Sequence, residues 1–229
     1  MKSKDIKELV ELIKFLRAQG IIFYILGNGS NILVSDKGVR GCIVHIAKNL
    51  SKIRVIGNKI EAEPGATLAE IANVAMKNNL KGFEELSGIP GTIGGAVTMN
   101  AGAYDKEIKD LFSSANAINE AGRVVKLSKD TMNFSYRKST ISDGKFILTQ
   151  VTLNLQEGDK DEILKNMERY KILRMKRQPL NLPSAGSAPL LYHLRRGSPL
   201  LFPASRRFLQ GFSVSFPCQK GIKKEAPRP

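Results

Sequence analysis

The first segment of the chain has apolar residues at the spacing of an α-helix. Ser3 is a suitable N-cap and Gly20 a suitable end, and one face between them is apolar. That face is formed by Ile6, Leu9, Val10, Ile13 and Leu16. The 3.6-residue period therefore predicts an amphipathic helix between residues 3 and 20.

Apolar runs of strand length follow this helix. Ile21–Leu26 predicts a buried strand, and Cys42–Ile46 predicts a second one. Gly57-Asn58 separates Ile53–Ile56 from Lys59–Glu63, which is typical of a two-residue β-hairpin. The first sixty residues thus combine one helix with several short strands.

The next helix has a capping-box signature. Thr67 and Glu70 have the three-residue spacing at which each side chain satisfies the backbone N–H of the other. The helix that they open is expected to stop before Gly82, because glycine favours helix ends.

The remaining elements alternate strands with helices. Ser114–Asn119 and Arg123–Leu127 predict two strands, and Phe146–Leu155 predicts a long one. A last helix is expected from Asp159 to Pro179, where proline prevents continuation. The pattern indicates an α+β fold.

The pattern divides the chain into two units and a tail. We expect the units at residues 1–80 and 81–187. Residues 188–229 hold six of the ten prolines and eight Lys or Arg against one Glu, a net charge of +7. Such a segment buries little apolar surface, so we expect a disordered tail or a stretch outside the proper reading frame.

Composition is that of an ordinary globular protein. The 229 residues are 42% hydrophobic and 25% charged, and no apolar run approaches the roughly 18 residues of a transmembrane helix. The N-terminal segment lacks a signal-peptide core. Cys42 and Cys218 are too few and too distant for a disulfide framework or a structural zinc site. We expect a cytoplasmic protein with no membrane or metal partner.

The net charge of +15 suits an anionic small molecule or a nucleic acid. Neither a helix-turn-helix signature nor an aromatic RNA-binding motif accompanies the charge. Nucleic-acid binding therefore remains an alternative hypothesis that rests on charge alone, and we expect no nucleic-acid partner.

Two glycine-rich segments are candidates for nucleotide binding. GNGSN (27–31) follows a predicted strand, and its small residues allow a phosphate to approach the backbone. Ile32 stands where the dinucleotide fingerprint needs a third glycine, so this motif alone favours a turn. GIPGTIGGA (88–96) removes side chains from one surface, which suits either a nucleotide or tight packing.

Two polar runs carry candidates for substrate chemistry. SYRKS places Tyr136 beside Arg137, and an arginine clamps a carboxylate or stabilises an enolate through charge-assisted hydrogen bonds. A solvated surface arginine is the competing interpretation. PSAGS offers Ser187, but the chain has no G-x-S-x-G elbow, and its two histidines form no credible catalytic triad.

In order along residues 1–187, four motifs resemble those of the UDP-N-acetylenolpyruvoylglucosamine reductases, also called UDP-N-acetylmuramate dehydrogenases. The motifs are GNGSN, SGIPGTIGGAVTMNAGAY, SYRKS and KRQPLNLPSAGS. The resemblance implies an FAD-binding fold of the vanillyl-alcohol-oxidase type, with FAD between two α+β subdomains. We expect non-covalent FAD, because neither glycine-rich segment holds a His or Cys. The implied flavin contacts are Gly27, Asn28, Gly29, Ser30, Asn31, Gly88, Pro90, Gly91, Thr92, Gly94, Gly95, Ala101 and Gly102.

The resemblance also implies a reaction. NADPH would reduce the flavin, and a hydride would then reach the enolpyruvyl β-carbon of UDP-N-acetylglucosamine enolpyruvate. Arg137 matches the residue that stabilises the enolate, Ser187 matches the serine that protonates the α-carbon, and Tyr136 would adjoin the substrate. No obligate protein partner is expected. Candidates for the UDP diphosphate, on charge alone, are Arg174, Lys176 and Arg177.

The chain departs from the family's pattern at both ends. A segment of the TTF-x-x-GG kind is expected before the first helix and is absent. The resemblance stops after Ser187, and Glu225 lies in the basic tail, so it is not the family's catalytic glutamate. We therefore expect a truncated, frameshifted or interrupted chain without the third, substrate-binding domain. A catalytically dead flavin-binding fragment is the alternative to an active reductase.

Overall fold

A computed structural model describes residues 5–32, 34 and 38–178. Residues 5–31 and 41–178 belong to one structural unit, and residues 32, 34 and 38–40 belong to a second. Ser187 and the predicted tail at residues 188–229 lie outside the described residues, so the expectations for them stay predictions.

The helices begin at side-chain caps that the sequence provides. The helices are α1 (Ile6–Ala18), α2 (Leu68–Lys77), α3 (Ile93–Thr98), α4 (Ile108–Leu111) and α5 (Lys160–Arg177). The N-cap of α1 is Asp5 rather than Ser3, because the Asp5 carboxylate accepts a hydrogen bond from the Glu8 backbone N–H at 2.9 Å. Within residues 5–32, 34 and 38–178, no helix is long and apolar enough to cross a membrane.

The strands of the described residues form one central sheet and three pairs. The strands are β1 (Phe23–Leu26), β2 (Cys42–His45), β3 (Ile53–Ile56), β4 (Lys59–Ala62), β5 (Leu80–Lys81), β6 (Gly102–Ala103), β7 (Lys106–Glu107), β8 (Phe112–Ile118), β9 (Val124–Ser128), β10 (Ile147–Asn154) and β11 (Gln156–Glu157). The central sheet has the order β3-β4-β10-β8-β9, and all its pairs are antiparallel. The pairs are parallel β1-β2, antiparallel β5-β11 and antiparallel β6-β7. The α+β prediction is confirmed.

The end of the central sheet separates two hydrophobic clusters. Ile118 and Ile147 are cross-strand partners, and both pack against the α1 side chains. Their neighbours Ala117 and Leu148 are also partners, and both pack in the larger cluster that contains α2. Successive strand residues point to opposite faces, so one pair of strands contributes to both clusters.

The central sheet crosses the boundary predicted near residue 80. β3 and β4 precede that residue, and β8, β9 and β10 follow it. Apart from Ile118 and Ile147 of the sheet, the buried residues of the smaller cluster all lie at or before Leu50. Those of the larger cluster all lie after residue 51, so along the chain the two clusters divide near residue 51. The division into subdomains at residue 80 remains a prediction.

The first strand is shorter and more exposed than the sequence predicts. β1 begins at Phe23 rather than Ile21, and within it only Leu26 is buried. Ile22 is 63% exposed. In the described part of the chain β1 pairs only with β2, and a two-stranded sheet leaves more of its surface open than the apolar run suggests.

The predicted capping box of α2 is confirmed, and it makes the stability dependent on pH. The Thr67 hydroxyl accepts from the Glu70 N–H at 3.1 Å, and the Glu70 carboxylate accepts from the Thr67 hydroxyl and N–H at 2.7 and 2.9 Å. The hydroxyl first and the backbone N–H second hold the pKa of Glu70 below its ordinary value.

We expect Thr67→Ala to lower the free energy of unfolding by about 1 kcal/mol, because it removes this cap. A lowered folded-state pKa gives stability that is present above the unfolded-state pKa and is lost as the pH falls through the folded-state value. The stability advantage of the wild type over Glu70→Gln should therefore shrink between about pH 5 and pH 3. Thermal unfolding across this range measures it, and a constant advantage would contradict the assignment.

Candidate functional site

The GNGSN segment leaves β1 and meets the second glycine-rich segment. A Cβ added at Gly27 would lie 2.5 Å from the Thr92 Oγ1 atom, so only glycine allows this approach without a shift. Residues 28–31 are exposed. Among the described residues, the backbone N–H groups of residues 28–30 have no hydrogen-bond acceptor. These free donors are suited to phosphate oxygens.

The second glycine-rich segment runs alongside residues 64–68. The Gly94 N–H donates to the Pro64 carbonyl at 2.9 Å, and the Ile93 N–H donates to the Ala66 carbonyl at 2.8 Å. In return the Leu68 N–H donates to the Gly91 carbonyl at 3.1 Å. A Cβ at Gly94 would lie 2.9 Å from the Pro64 carbonyl oxygen, so the segments are in backbone contact.

Residues 64–67 are part of the site, and sequence reasoning missed them. Gly65 lies against the loop before β3: its N–H donates to the Leu50 carbonyl at 2.7 Å, and an added Cβ would clash with the Ala47 carbonyl oxygen. The signal was available in the Pro64-Gly65 dipeptide, which is separated from the capping box by one residue. Residues 64–67 therefore hold the second glycine-rich segment in place through backbone hydrogen bonds.

The MNAGAY segment turns sharply after α3. Gly102–Ala103 pairs with Lys106–Glu107, and the two residues between them are Tyr104 (φ +53°) and Asp105 (φ +63°). Positive φ at both central positions is the type I′ hairpin turn, which usually needs Asn or Gly. The side chain of Tyr104 is held, because its hydroxyl donates to the Tyr170 carbonyl at 3.1 Å and the two rings lie 4.7 Å apart.

Tyr170 extends this contact to a carboxylate. Its hydroxyl donates to the Glu85 Oε1 atom at 3.2 Å. Burial and the Glu85 charge raise the pKa of Tyr170, so the phenol remains a donor. Tyr170 of α5 thus contacts both Tyr104 of the MNAGAY turn and Glu85.

SYRKS forms a tight turn that carries Arg137 at its tip. The Ser135 and Lys138 backbones exchange hydrogen bonds of 3.0 and 3.2 Å. Arg137 has φ +55°, its Nη2 donates to the Gly102 carbonyl at 3.4 Å, and its guanidinium lies 5.2 Å from the centre of the Tyr136 ring. Tyr136 is 82% exposed.

A cavity of about 500 Å³ lies between this turn and the MNAGAY hairpin. Its cationic side chains are Lys106, Lys109 and Arg137. Lys109 pairs with Glu107 at 2.7 Å, and that hydrogen bond and charge raise the pKa of Lys109. The remaining lining residues are Gly102, Ala103, Tyr104, Asp105, Glu107 and Asp110.

Backbone strain is concentrated at this cavity. Six non-glycine residues of the described chain have positive φ, and four of them are Asn100, Tyr104, Asp105 and Arg137. Three of these four line the cavity, and Asn100 is bonded to its wall. Left-handed backbone costs energy in L-residues and persists where the surroundings enforce it, which is common at functional sites.

The predicted site residues thus form two groups at the two ends of α3. At its N-terminal end the GNGSN segment meets Gly91–Gly95. At its C-terminal end Gly102, Tyr136 and Arg137 are together. The six residues of α3 span about 9 Å, so the two groups are within reach of one elongated ligand.

The other candidates are placed as follows. Pro90 is exposed directly before Gly91, and the partly buried Ala101 packs against the larger hydrophobic cluster. A Cβ at Gly88 would lie 3.3 Å from the Cδ atom of Arg174 on α5. Burial lowers the pKa of Arg174, although Tyr104 acts in the opposite direction. Lys176 and Arg177 are exposed in the last turn of α5.

The arrangement fits a flavin nucleotide. Side chains are absent where two backbones meet, and three consecutive N–H groups have no acceptor within the described residues. A cavity that holds Arg137 and two lysines together with three carboxylates lies one short helix away. The residues that would hold the phosphates of such a cofactor are those of 27–31 and 91–95. The cavity is suited to the substrate side of such a cofactor.

Known proteins match this chain in sequence and in structure. Residues 1–128 match the FAD binding domain family. UDP-N-acetylenolpyruvoylglucosamine reductase of Caldanaerobacter subterraneus is 47% identical over 185 residues, and that of Clostridium kluyveri is 43% identical over 187 residues. These alignments cover 81% and 82% of this chain, and the chain spans about three fifths of these relatives, 60% and 61%.

Solved structures give the same assignment. UDP-N-acetylenolpyruvylglucosamine reductase from Thermus caldophilus superposes with a TM-score of 0.69 at 32% identity, covering 85% of this chain and 71% of that one. Cholesterol oxidase from Brevibacterium sterolicum has a TM-score of 0.51 at 16% identity over 68% of this chain and 34% of that one, which shows the fold alone. The predicted FAD-binding fold of the vanillyl-alcohol-oxidase type is confirmed. On these matches the chain belongs to the family of UDP-N-acetylenolpyruvoylglucosamine reductases, and it carries that family's FAD-binding domain.

Proposed function

We propose that the chain is the FAD-binding part of a reductase that converts UDP-N-acetylglucosamine enolpyruvate into UDP-N-acetylmuramate with NADPH. The reaction belongs to peptidoglycan precursor synthesis in the cytoplasm. The observation that carries the proposal is the strained Arg137 turn, which lies beside Gly102 and one short helix away from two touching glycine-rich segments.

The chain's own residues bind the cofactor through backbone groups. The N–H groups of residues 28–30, which have no acceptor among the described residues, donate to the phosphate oxygens, and Thr92 fixes the facing segment by capping α3. Bound flavin supplies hydride transfer from NADPH to the enolpyruvyl group. The small residues at 91 and 95 allow a flat ring system to approach the backbone, whereas the side-chain position of Gly94 is filled by Pro64.

Arg137 binds the substrate carboxylate and the negative charge that develops on it as an enolate forms. Among the described residues, its guanidinium is anchored only by the long 3.4 Å hydrogen bond to Gly102 and by the Tyr136 ring, so donors remain for a ligand. Tyr136, exposed at the tip of the same turn, contacts the substrate from its open side. Lys106 adds positive charge in the same cavity.

Ser187 is the proposed proton donor to the α-carbon of the substrate. The proposal rests on its match to the family's serine in PSAGS, since it lies outside the described residues. A serine hydroxyl is a weak acid, so it acts only beside a strongly basic enolate that Arg137 has already positioned.

We expect the purified chain to carry FAD that acid releases completely. The site holds the cofactor by hydrogen bonds and packing, and neither glycine-rich segment has a His or Cys to form a covalent bond. Acid precipitation followed by absorbance of the supernatant measures this. Flavin remaining in the pellet would contradict it, and a colourless protein that binds a DNA duplex would favour the nucleic-acid alternative.

Oxidation of NADPH that depends on the enolpyruvyl substrate tests the proposed reaction. FAD binding with substrate-dependent oxidation identifies an active reductase. FAD binding without it identifies a catalytically dead flavin-binding fragment, the outcome expected from the loss of family resemblance after Ser187.

A further inference from the structure

Asn100 is a buried polar residue that joins three segments of the cavity wall. Its side chain is fully buried at the end of α3. The Nδ2 atom donates to the Glu107 Oε2 atom and to the Ser135 carbonyl, both at 3.0 Å. The Oδ1 atom accepts from the Lys109 N–H at 3.0 Å. Both amide donor positions are therefore used, and the side chain joins the end of α3 to the segment of Glu107 and Lys109 and to the turn of Ser135.

The bond to Ser135 acts directly on the turn that carries Arg137. The same Ser135 carbonyl closes the turn by accepting from the Lys138 N–H. On the far side of the turn, the Ser139 hydroxyl donates to the Thr98 carbonyl at 2.9 Å. Asn100 thus anchors the turn at Ser135, and Ser139 anchors it after Lys138. The backbone of Arg137 is in the left-handed region, and such a conformation persists where the surrounding contacts enforce it.

The bond to Glu107 removes a competitor for Arg137. Asp105, Glu107 and Asp110 line the same cavity as Arg137, yet among the described residues Arg137 has no carboxylate partner. The Glu107 Oε2 atom is occupied by Asn100 and by the Lys109 ammonium at 2.7 Å. The Oδ2 atom of the Asp110 carboxylate is likewise occupied, since it accepts from the Glu107 N–H at 2.8 Å.

We propose that Asn100 is a positioning residue that holds the Arg137 turn through Ser135 and keeps Glu107 from pairing with Arg137. The guanidinium then stays available for the carboxylate of a ligand. This inference rests on the proposed role of Arg137 in substrate binding.

The test compares Asn100→Gly with wild type in the full chain. Glycine suits this position, because Asn100 has φ +41° and glycine adopts positive φ without strain. The control is Asn133→Gly, at an exposed asparagine with φ +44° whose side chain, in the part of the chain that the structure describes, bonds only to nearby Thr131 and Thr140. If Asn100→Gly does not fold, Asn100→Ser replaces it, since its shorter side chain removes both amide N–H donors without placing a second carboxylate beside Glu107.

Hydrogen exchange of the Ser135 and Lys138 amides gives the first readout, and it requires neither cofactor nor substrate. We expect exchange to be at least about tenfold faster in Asn100→Gly and unchanged in Asn133→Gly. Equal exchange in wild type and Asn100→Gly would overturn the proposal, even for a chain that binds no substrate.

Ligand affinity gives the second readout in the FAD-loaded chain. We expect Asn100→Gly to bind UDP-N-acetylglucosamine enolpyruvate about tenfold more weakly, with the affinity for UDP-N-acetylglucosamine unchanged, because only the former has the carboxylate. Adding Glu107→Gln to Asn100→Gly should restore part of the affinity. An equal loss for both ligands would indicate a purely structural role and overturn the proposal. A wild-type chain that binds neither ligand would refute the proposed function and leave the exchange result to decide on Asn100.

Discussion

Gly65→Ala is expected to destabilise the chain by about 3 kcal/mol and to abolish FAD binding with it. The added Cβ would clash with the Ala47 carbonyl oxygen and lie 2.7 Å from that of Leu50. Both are backbone atoms, so no side chain can rotate away, and the cost is at the upper end of the range of about 1–3 kcal/mol for overpacking. Since Gly65 sits between Ala47 and the glycine-rich Gly94 segment, any shift that relieves the clash displaces the flavin site.

The matched control is Gly95→Ala. Gly95, like Gly65, is not in the left-handed region, but its added Cβ would meet the Thr92 Oγ1 atom at an ordinary 3.7 Å. Within α3 an alanine is favoured over glycine by up to about 1 kcal/mol, so the free energy of unfolding of this variant should equal or exceed that of the wild type. Chemical denaturation of both apo variants measures the difference. If Gly65→Ala were as stable as Gly95→Ala, the close approach of Gly65 to the Ala47 and Leu50 carbonyl oxygens would be wrong.

Arg137→Gly is expected to reduce the affinity for the enolpyruvyl substrate by roughly 10- to 100-fold without loss of stability. A hydrogen bond between charged groups contributes about 1.5–3 kcal/mol, which corresponds to this range. Arg137 has φ +55°, and glycine removes the cost of about 1–2 kcal/mol that an L-residue has there. Stability should therefore be equal or higher while binding falls, which separates a functional arginine from a structural one.

The control for Arg137 is its neighbour Lys138. Lys138→Ala removes an exposed cation from the same turn and retains the backbone bonds to Ser135. It should bind the enolpyruvyl substrate nearly as well as wild type. Titrations that follow the flavin absorbance, with UDP-N-acetylglucosamine as the ligand without a carboxylate, give the affinities. An equal loss of affinity in the Arg137 and Lys138 variants would show that Arg137 contributes only general positive charge, which would contradict the proposed role.

The elements that the sequence predicted well are those set by short-range chemistry. The Gly57-Asn58 hairpin and the Thr67–Glu70 capping box have the predicted residues, because each is determined within four positions of chain. The prediction of a buried strand at Ile21–Leu26 was less accurate, because the burial of a strand depends on how many strands lie beside it. The division near residue 80 has the same difficulty, since sheet order depends on long-range pairing.

The candidate site shows the same contrast. The motifs identified the segments at 27–31, 88–95 and 135–139, and the resemblance supplied their roles. What no motif showed is that Gly27 touches Thr92, or that Asn100 reaches Ser135 thirty-five positions later. Such contacts come from the packing of α3 between the segments. A single buried asparagine in an otherwise small-residue run gives no signal by itself.

Hydrogen exchange of the chain with and without FAD tests the central claim, that the two glycine-rich segments form the cofactor site. Bound FAD should slow exchange in peptides that cover residues 27–31 and 88–102, where free N–H groups and side-chain-free backbone meet. The β3-β4 hairpin at 53–62 serves as the internal reference and should be unchanged. Protection that spares both glycine-rich segments while FAD is bound would contradict the account.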